Sequence, residues 1–106
     1  MNDFDKIIWS DTLVLVEFFA SWCGPCRAMD PTVERFRRMM NRRAEVLRIN
    51  IDDEQMLPIV RRYRIRTVPT LLLFHRGEER WRRSGITSYE EMVAALEQTE
   101  ALIHAT

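Results

Sequence analysis

Residues Leu13-Val14-Leu15-Val16-Glu17-Phe18-Phe19 are apolar at every position but one, and four residues after Phe19 the period of the pattern changes. A strand with one wet face alternates apolar and polar residues. A run that is apolar throughout belongs to a strand covered on both faces. From Cys23 onward, Cys26, Met29, Val33, Phe36 and Met40 recur at spacings of three and four, which is the stripe of an amphipathic helix. A doubly buried strand followed directly by a helix points to layered α/β architectures. Pro31 falls inside this helix and is expected to kink it, because proline lacks the backbone donor and crowds the preceding turn. Asn41 is the expected stop.

The other elements follow from local signals. Asp3 is the expected cap of a short helix whose Phe4, Ile7 and Ile8 share one face. A second strand is expected over about Val46–Ile51. Pro58 suits the first position of a short helix that runs to about Tyr63. Thr70–His75 and Arg80–Ser84, separated by Arg76-Gly77-Glu78-Glu79, read as an antiparallel hairpin. Ser88 with Glu91 three residues on forms a capping-box pattern. The helix it opens turns Met92, Leu96 and either Leu102 or Ile103 toward the sheet. The order α-β-α-β-α-β-β-α implies an α/β fold with a mixed sheet and helices on both faces. With no repeat, linker or low-complexity stretch, residues 1–106 read as a single domain.

Composition narrows the function classes. Hydrophobic residues make up 46% and charged residues 30%, proportions of a globular chain rather than a disordered one. No apolar run approaches the roughly 20 residues of a membrane span, so no membrane partner is expected. The N-terminal residues are acidic, and no small-residue cleavage site follows an apolar core. No leader is therefore expected, and the cytoplasm is the expected compartment. Net charge is zero, yet residues 35–83 carry fourteen Arg against six acidic residues. These arginines are spread over several elements instead of lining one, so no nucleic-acid partner is expected. They read as a solvated basic surface that helps select acidic partners.

Cys23-Gly24-Pro25-Cys26 carries the chemistry. With Cys26 in the first turn of a helix, the two Cα atoms lie about 5–6 Å apart, within disulfide range. Cys23 then stands at the helix N-terminus, where unpaired N–H groups and the helix dipole stabilise a thiolate. An exposed Cys23 thiolate attacks a partner's disulfide, and the more buried Cys26 resolves the mixed disulfide. Gly24 lets the chain turn tightly, and Pro25 gives up a donor that the helix start does not use. A structural disulfide across so short a loop would stabilise little. Half of a zinc site would need further ligands, and His75 and His104 belong to no ligand pair, so no metal is expected.

The segment Phe18-Phe19-Ala20-Ser21-Trp22-Cys23-Gly24-Pro25-Cys26 resembles the active site of thioredoxins. The resemblance extends to Pro31, to Asn50-Ile51-Asp52, to Tyr63-Arg64-Ile65-Arg66-Thr67-Val68-Pro69-Thr70 and to Gly85, and covers the chain from about Phe4. It implies a thioredoxin-like three-layer α/β/α fold and a cis Val68–Pro69 peptide, with the backbone of Val68 free to pair with an extended substrate. It further implies that Trp22, Gly24, Pro25, Val68, Pro69 and Gly85 line the substrate groove. Read as residues alone, Trp22 also fits a core tryptophan, Val68 a buried strand residue and Gly85 a turn glycine. Three departures stand out. Too few residues precede Leu13 for the family's first strand and a long helix. Glu17 stands for the usual buried aspartate, with Arg48 for the lysine facing it. The Asp52–Tyr63 stretch is about two residues longer. Four strands are therefore expected, in the spatial order Val46–Ile51, Leu13–Phe19, Thr70–His75, Arg80–Ser84, with the first pair parallel and the others antiparallel.

The function expected is reduction of protein disulfides through Cys23 and Cys26, with no bound cofactor. Electrons are expected from an NADPH-dependent flavoprotein, thioredoxin reductase, and pass to disulfide-containing proteins; the chain itself is expected to be a monomer. Glu17 has two readings: a proton-transfer group for Cys26, or half of a structural ion pair with Arg48. An oxidase or isomerase is the alternative within the same chemistry. A thioredoxin-like binding module is the alternative outside it.

Overall fold

The computed structural model describes residues 2–105. Helix α1 (Asp3–Ile8) leads into strand β1 (Leu13–Phe19), and helix α2 (Gly24–Met39) into strand β2 (Ala44–Asn50). A single 3₁₀ turn (Glu54–Met56) and helix α3 (Leu57–Arg62) follow. Strands β3 (Thr70–His75) and β4 (Glu78–Ser84) then form a hairpin, and helix α4 (Tyr89–Ile103) closes the order. Among the described residues the strands make one sheet in the order β2-β1-β3-β4. β1 and β2 are parallel, while β1–β3 and β3–β4 are antiparallel.

The sheet separates two cores. Leu13 and Leu15 of β1 and Leu71 and Leu73 of β3 face Met29, Val33 and Phe36 of α2 and Met92 and Leu96 of α4. The alternate residues Val14, Val16, Phe18, Leu72 and Phe74 face Phe4 and Ile8 of α1 and Ile59 of α3. Both sides of β1 and β3 are thus covered, which is why their sequences are apolar without alternation. By the same alternation Glu17 belongs to the face under α2, and it is completely buried there.

Several boundaries differ from the sequence reading, each for a local reason. Asn2, not Asp3, caps α1: its side chain accepts the N–H of Asp5 at 2.7 Å. Either residue type can cap, and only the backbone decides between them. β2 begins two residues early, at Ala44, and the α2 that precedes it ends at Met39, before Asn41. The hairpin turn is two residues, not four. Arg76 and Gly77 both have positive φ, 49° and 81°, as a tight turn matched to the strand twist requires. A side chain at Gly77 would also run into the ring of Trp9. α4 opens with the expected capping box between Ser88 and Glu91. Of the two candidate residues near its end, Ile103 packs against the core and Leu102 is exposed.

α3 ends so as to aim the following loop at the tip of β1. The Ile65 N–H reaches the Val60 carbonyl at 3.0 Å and the Arg64 N–H the Arg61 carbonyl at 3.1 Å. Arg64 takes φ 53° at the position where glycine is usual.

Candidate active site

The site lies past the carboxyl end of β1, where α2 begins. Cys23 and Cys26 are disulfide-bonded with Cα atoms 5.3 Å apart, within the expected range. Cys23 is the N-cap of α2, and its Sγ accepts the backbone N–H of Cys26 at 3.1 Å. That N–H is one of the donors a helix start leaves unpaired, so the sulfur occupies the place a capping serine or aspartate would take. Pro25 stands in the first turn of α2, where its missing donor costs nothing.

One expectation fails. Cys23 is not exposed as a residue: its relative exposure is 3%, against 1% for Cys26. What separates the two in the disulfide form is placement. Cys23 is at the cap, and its Sγ lies 3.7 Å from the carbonyl oxygen of Val68, whereas Cys26 is inside the first turn. Their neighbours in sequence, Trp22, Gly24 and Pro25, are exposed while the two cysteines are buried. Gly24 also departs from its expected role. It is helical, not left-handed, and a side-chain carbon there would meet nothing within 4 Å. Its service is open space at the start of the helix instead of backbone freedom.

The Val68–Pro69 peptide is cis. Pro69 is buried and Val68 is half-buried against Ala20, Cys23 and Cys26. The Pro69 carbonyl accepts the N–H of Gly85 at 2.8 Å, which ties the end of the hairpin to this loop. Gly85 has φ 88°, so the turn reading of this glycine holds; open space within 4 Å is present as well. Trp22 is 66% exposed, which excludes the core reading. Its indole N–H donates to Asp52 Oδ2 at 2.9 Å. Asp52, just past β2, entered the sequence reading only as part of a resembling segment. Its role depends on a contact 30 residues away, which no local pattern reveals.

Glu17 and Arg48 are paired, Arg48 Nε donating to Glu17 Oε1 at 2.7 Å. Glu17 Oε2 is buried with no hydrogen-bond partner among the described residues. Burial raises the Glu17 pKa above its ordinary 4.5, and the hydrogen bond and charge of Arg48 offset only part of that. The ion-pair reading is therefore present in the geometry, and the unpartnered oxygen leaves room for the proton-transfer reading beside it.

Larger recesses lie at the opposite end of the sheet, around Asp11, His75, Ile103 and His104. They hold no cysteine, and burial with neighbouring arginines pulls the His75 pKa down. Among the described residues no group of three or more His, Cys, Asp or Glu is arranged to hold a metal, and no helix is long and apolar enough to cross a membrane.

A two-cysteine disulfide at a helix N-cap, faced by a cis-proline loop on a four-stranded mixed sheet, defines a thiol–disulfide oxidoreductase. The sequence model of the Thioredoxin family matches residues 1–98. Thioredoxin from Rickettsia bellii is 34% identical over 89 residues, 84% of this chain and 83% of that protein. Thioredoxin-1 from Drosophila melanogaster is 37% identical over 79 residues, 73% of this chain and 72% of that protein. Among solved structures, a mutant thioredoxin from Halobacterium salinarum superposes with a TM-score of 0.81 at 31% identity, covering 92% of this chain and 83% of that one. The germline-specific thioredoxin Deadhead from Drosophila superposes at 0.78 with 30% identity and 92% coverage of both. The chain belongs to the thioredoxin family, the protein-disulfide reductases that work by dithiol–disulfide exchange.

Proposed function

We propose that Cys23 is the attacking sulfur, Cys26 the resolving one, and Glu17 the group that takes the proton from Cys26. In the reduced chain the Cys23 thiolate attacks one sulfur of a partner's disulfide. A Cys23–partner disulfide forms, and the partner's other sulfur leaves as a thiolate that is protonated. Cys26 loses its proton toward Glu17 and attacks Cys23 Sγ. The Cys23–Cys26 disulfide forms as the partner's second thiolate departs. Two electrons pass to the partner, and the disulfide state described above is the product. An NADPH-dependent flavoprotein, thioredoxin reductase, returns two electrons and restores the dithiol.

The observation that carries this reading is the Cys26 N–H donating to Cys23 Sγ at 3.1 Å from the N-terminus of α2. A donor and a helix dipole directed at a sulfur lower the cost of charge on it. Cys26 has no such position and lies nearer the core. Trp22, Gly24, Pro25, Val68, Pro69 and Gly85 form the surface on which an extended segment of the partner rests, with the Val68 backbone available to pair with it. Partners are disulfide-containing proteins met in the cytoplasm, and the chain acts as a monomer.

The test is NADPH oxidation in a mixture of the chain, a flavoprotein thioredoxin reductase and a disulfide-bonded protein such as insulin. Sustained turnover is expected for the wild type and none for Cys23→Ser. Turnover by Cys23→Ser, or a wild type that the reductase cannot reduce, contradicts the reading.

A further inference from the structure

Cys26 and Asp30 are one turn apart on α2 and so share a helix face. Both line a cleft of about 220 Å³ whose walls also include Phe19, Arg27 and Arg48. Arg48 reaches this cleft from β2 and makes three contacts there. Its Nε donates to Glu17 Oε1 at 2.7 Å, its Nη2 donates to Asp30 Oδ1 at 2.9 Å, and its guanidinium carbon lies 4.2 Å from the centre of the Phe19 ring. The Arg48 side chain is nevertheless 33% exposed, and Glu17 beneath it is fully buried. A long cationic side chain at such a boundary is drawn outward, since it can keep its stem on apolar surface and its head in water. A bond to Glu17 alone leaves that escape open. A second bond, from the helix that carries Cys26, closes it.

We propose that Asp30 is a positioning residue: by accepting from Arg48 Nη2 it holds the guanidinium against Glu17 and fixes the charge beside that buried carboxylate. The clamp itself is a matter of geometry, while its consequence for catalysis rests on the proton-transfer reading of Glu17 given above.

The charged groups facing Glu17 are Arg48 from β2 and Asp30 and Arg37 from α2. Asp30 acts on Glu17 in two opposed ways. Its charge disfavours ionisation of Glu17, and its hold on Arg48 favours it. The hydrogen bond and charge of Arg48 each act on Glu17 more strongly than the charge of Asp30, so releasing Arg48 is expected to outweigh removing that charge.

Two substitutions separate these effects. Asp30→Asn keeps an oxygen for Arg48 and removes the charge, so the titration midpoint of Glu17 is expected to fall. Asp30→Ala removes both, so the midpoint is expected to rise. The readout is the Glu17 carboxyl carbon followed by 13C NMR against pH in the oxidised protein, where neither cysteine titrates. Asp30 is a surface residue, and retained amide spectra of both variants establish that they fold. Opposite shifts support the clamp. Equal shifts in one direction, or none, overturn it and leave Asp30 as a nearby charge. The pH profile of the resolving step is measured in the same variants. If it follows the opposite midpoints, both the clamp and the Glu17 reading are supported. If the midpoints move oppositely and the profile does not follow, the clamp is supported and Glu17 is removed from proton transfer.

Discussion

The sulfur of Cys23 accepts the backbone N–H of Cys26 across 3.1 Å, so one side chain both caps α2 and carries the reacting atom. Start of helix and start of chemistry therefore coincide. The neighbours of the cap in sequence, Trp22, Gly24 and Pro25, are exposed, and the Val68 carbonyl oxygen lies 3.7 Å from Cys23 Sγ.

Glu17 gives the fold a pH dependence of definite sign. Its folded pKa is raised, chiefly by burial, above the ordinary 4.5. The protonated form is thus the one favoured by folding. The associated stability is fully present below about 4.5 and is lost as pH rises through the raised value. Glu17→Gln is neutral at all pH and close in shape. Its stability relative to wild type is expected to rise as pH increases from 4 to 8, measured by chemical denaturation of the oxidised proteins. A constant difference across that range would contradict a raised Glu17.

The two glycines near the site are expected to behave oppositely. Gly24 is helical with open space beyond it, so Gly24→Ala should hold or raise stability by about 0.5 kcal/mol. The added methyl fills open space at the start of the helix beside Cys23, and the rate of protein-disulfide reduction should fall several-fold. Gly85 has φ 88°, and Gly85→Ala should cost about 1–2 kcal/mol from the left-handed backbone alone. Denaturation midpoints and insulin-reduction rates on the same preparations give both comparisons.

The indole N–H of Trp22 donates to Asp52 Oδ2 at 2.9 Å. Asp52→Ala should release the indole and move its 15N–1H resonance. Folding stability should change by less than about 1 kcal/mol, since both groups are exposed. The specificity constant for protein disulfides should fall by about fivefold, the worth of about one hydrogen bond. An unmoved indole resonance would show that Asp52 does not hold Trp22.

Most of the fold was legible because burial on both faces leaves a strong mark. β1, β3 and the stripe of α2 were plain in apolar pattern alone, and the sheet order followed from the family resemblance together with the short N-terminus. What was missed depends on distance or on fine backbone geometry. Asp30 and Asp52 meet their partners 18 and 30 residues away in sequence. Nothing local marks either. The choice between Asn2 and Asp3 as cap, and the two-residue turn at Arg76-Gly77, depend on φ and ψ that several sequences share. Cys23 was expected to be exposed because helix starts usually are. Here the helix starts against Ala20 and Val68, and the sulfur is covered while its neighbours are not.

The central claim is the division of labour between the two sulfurs, and trapping tests it most directly. Cys26→Ser and Cys23→Ser are each reduced and mixed with a disulfide-bonded protein, and the products are resolved by intact-mass spectrometry without added thiol. The expected result is a stable one-to-one mixed disulfide through Cys23 in the Cys26→Ser protein, with little or none through Cys26 in the Cys23→Ser protein. Equal trapping by the two variants, or trapping through Cys26 alone, would contradict it.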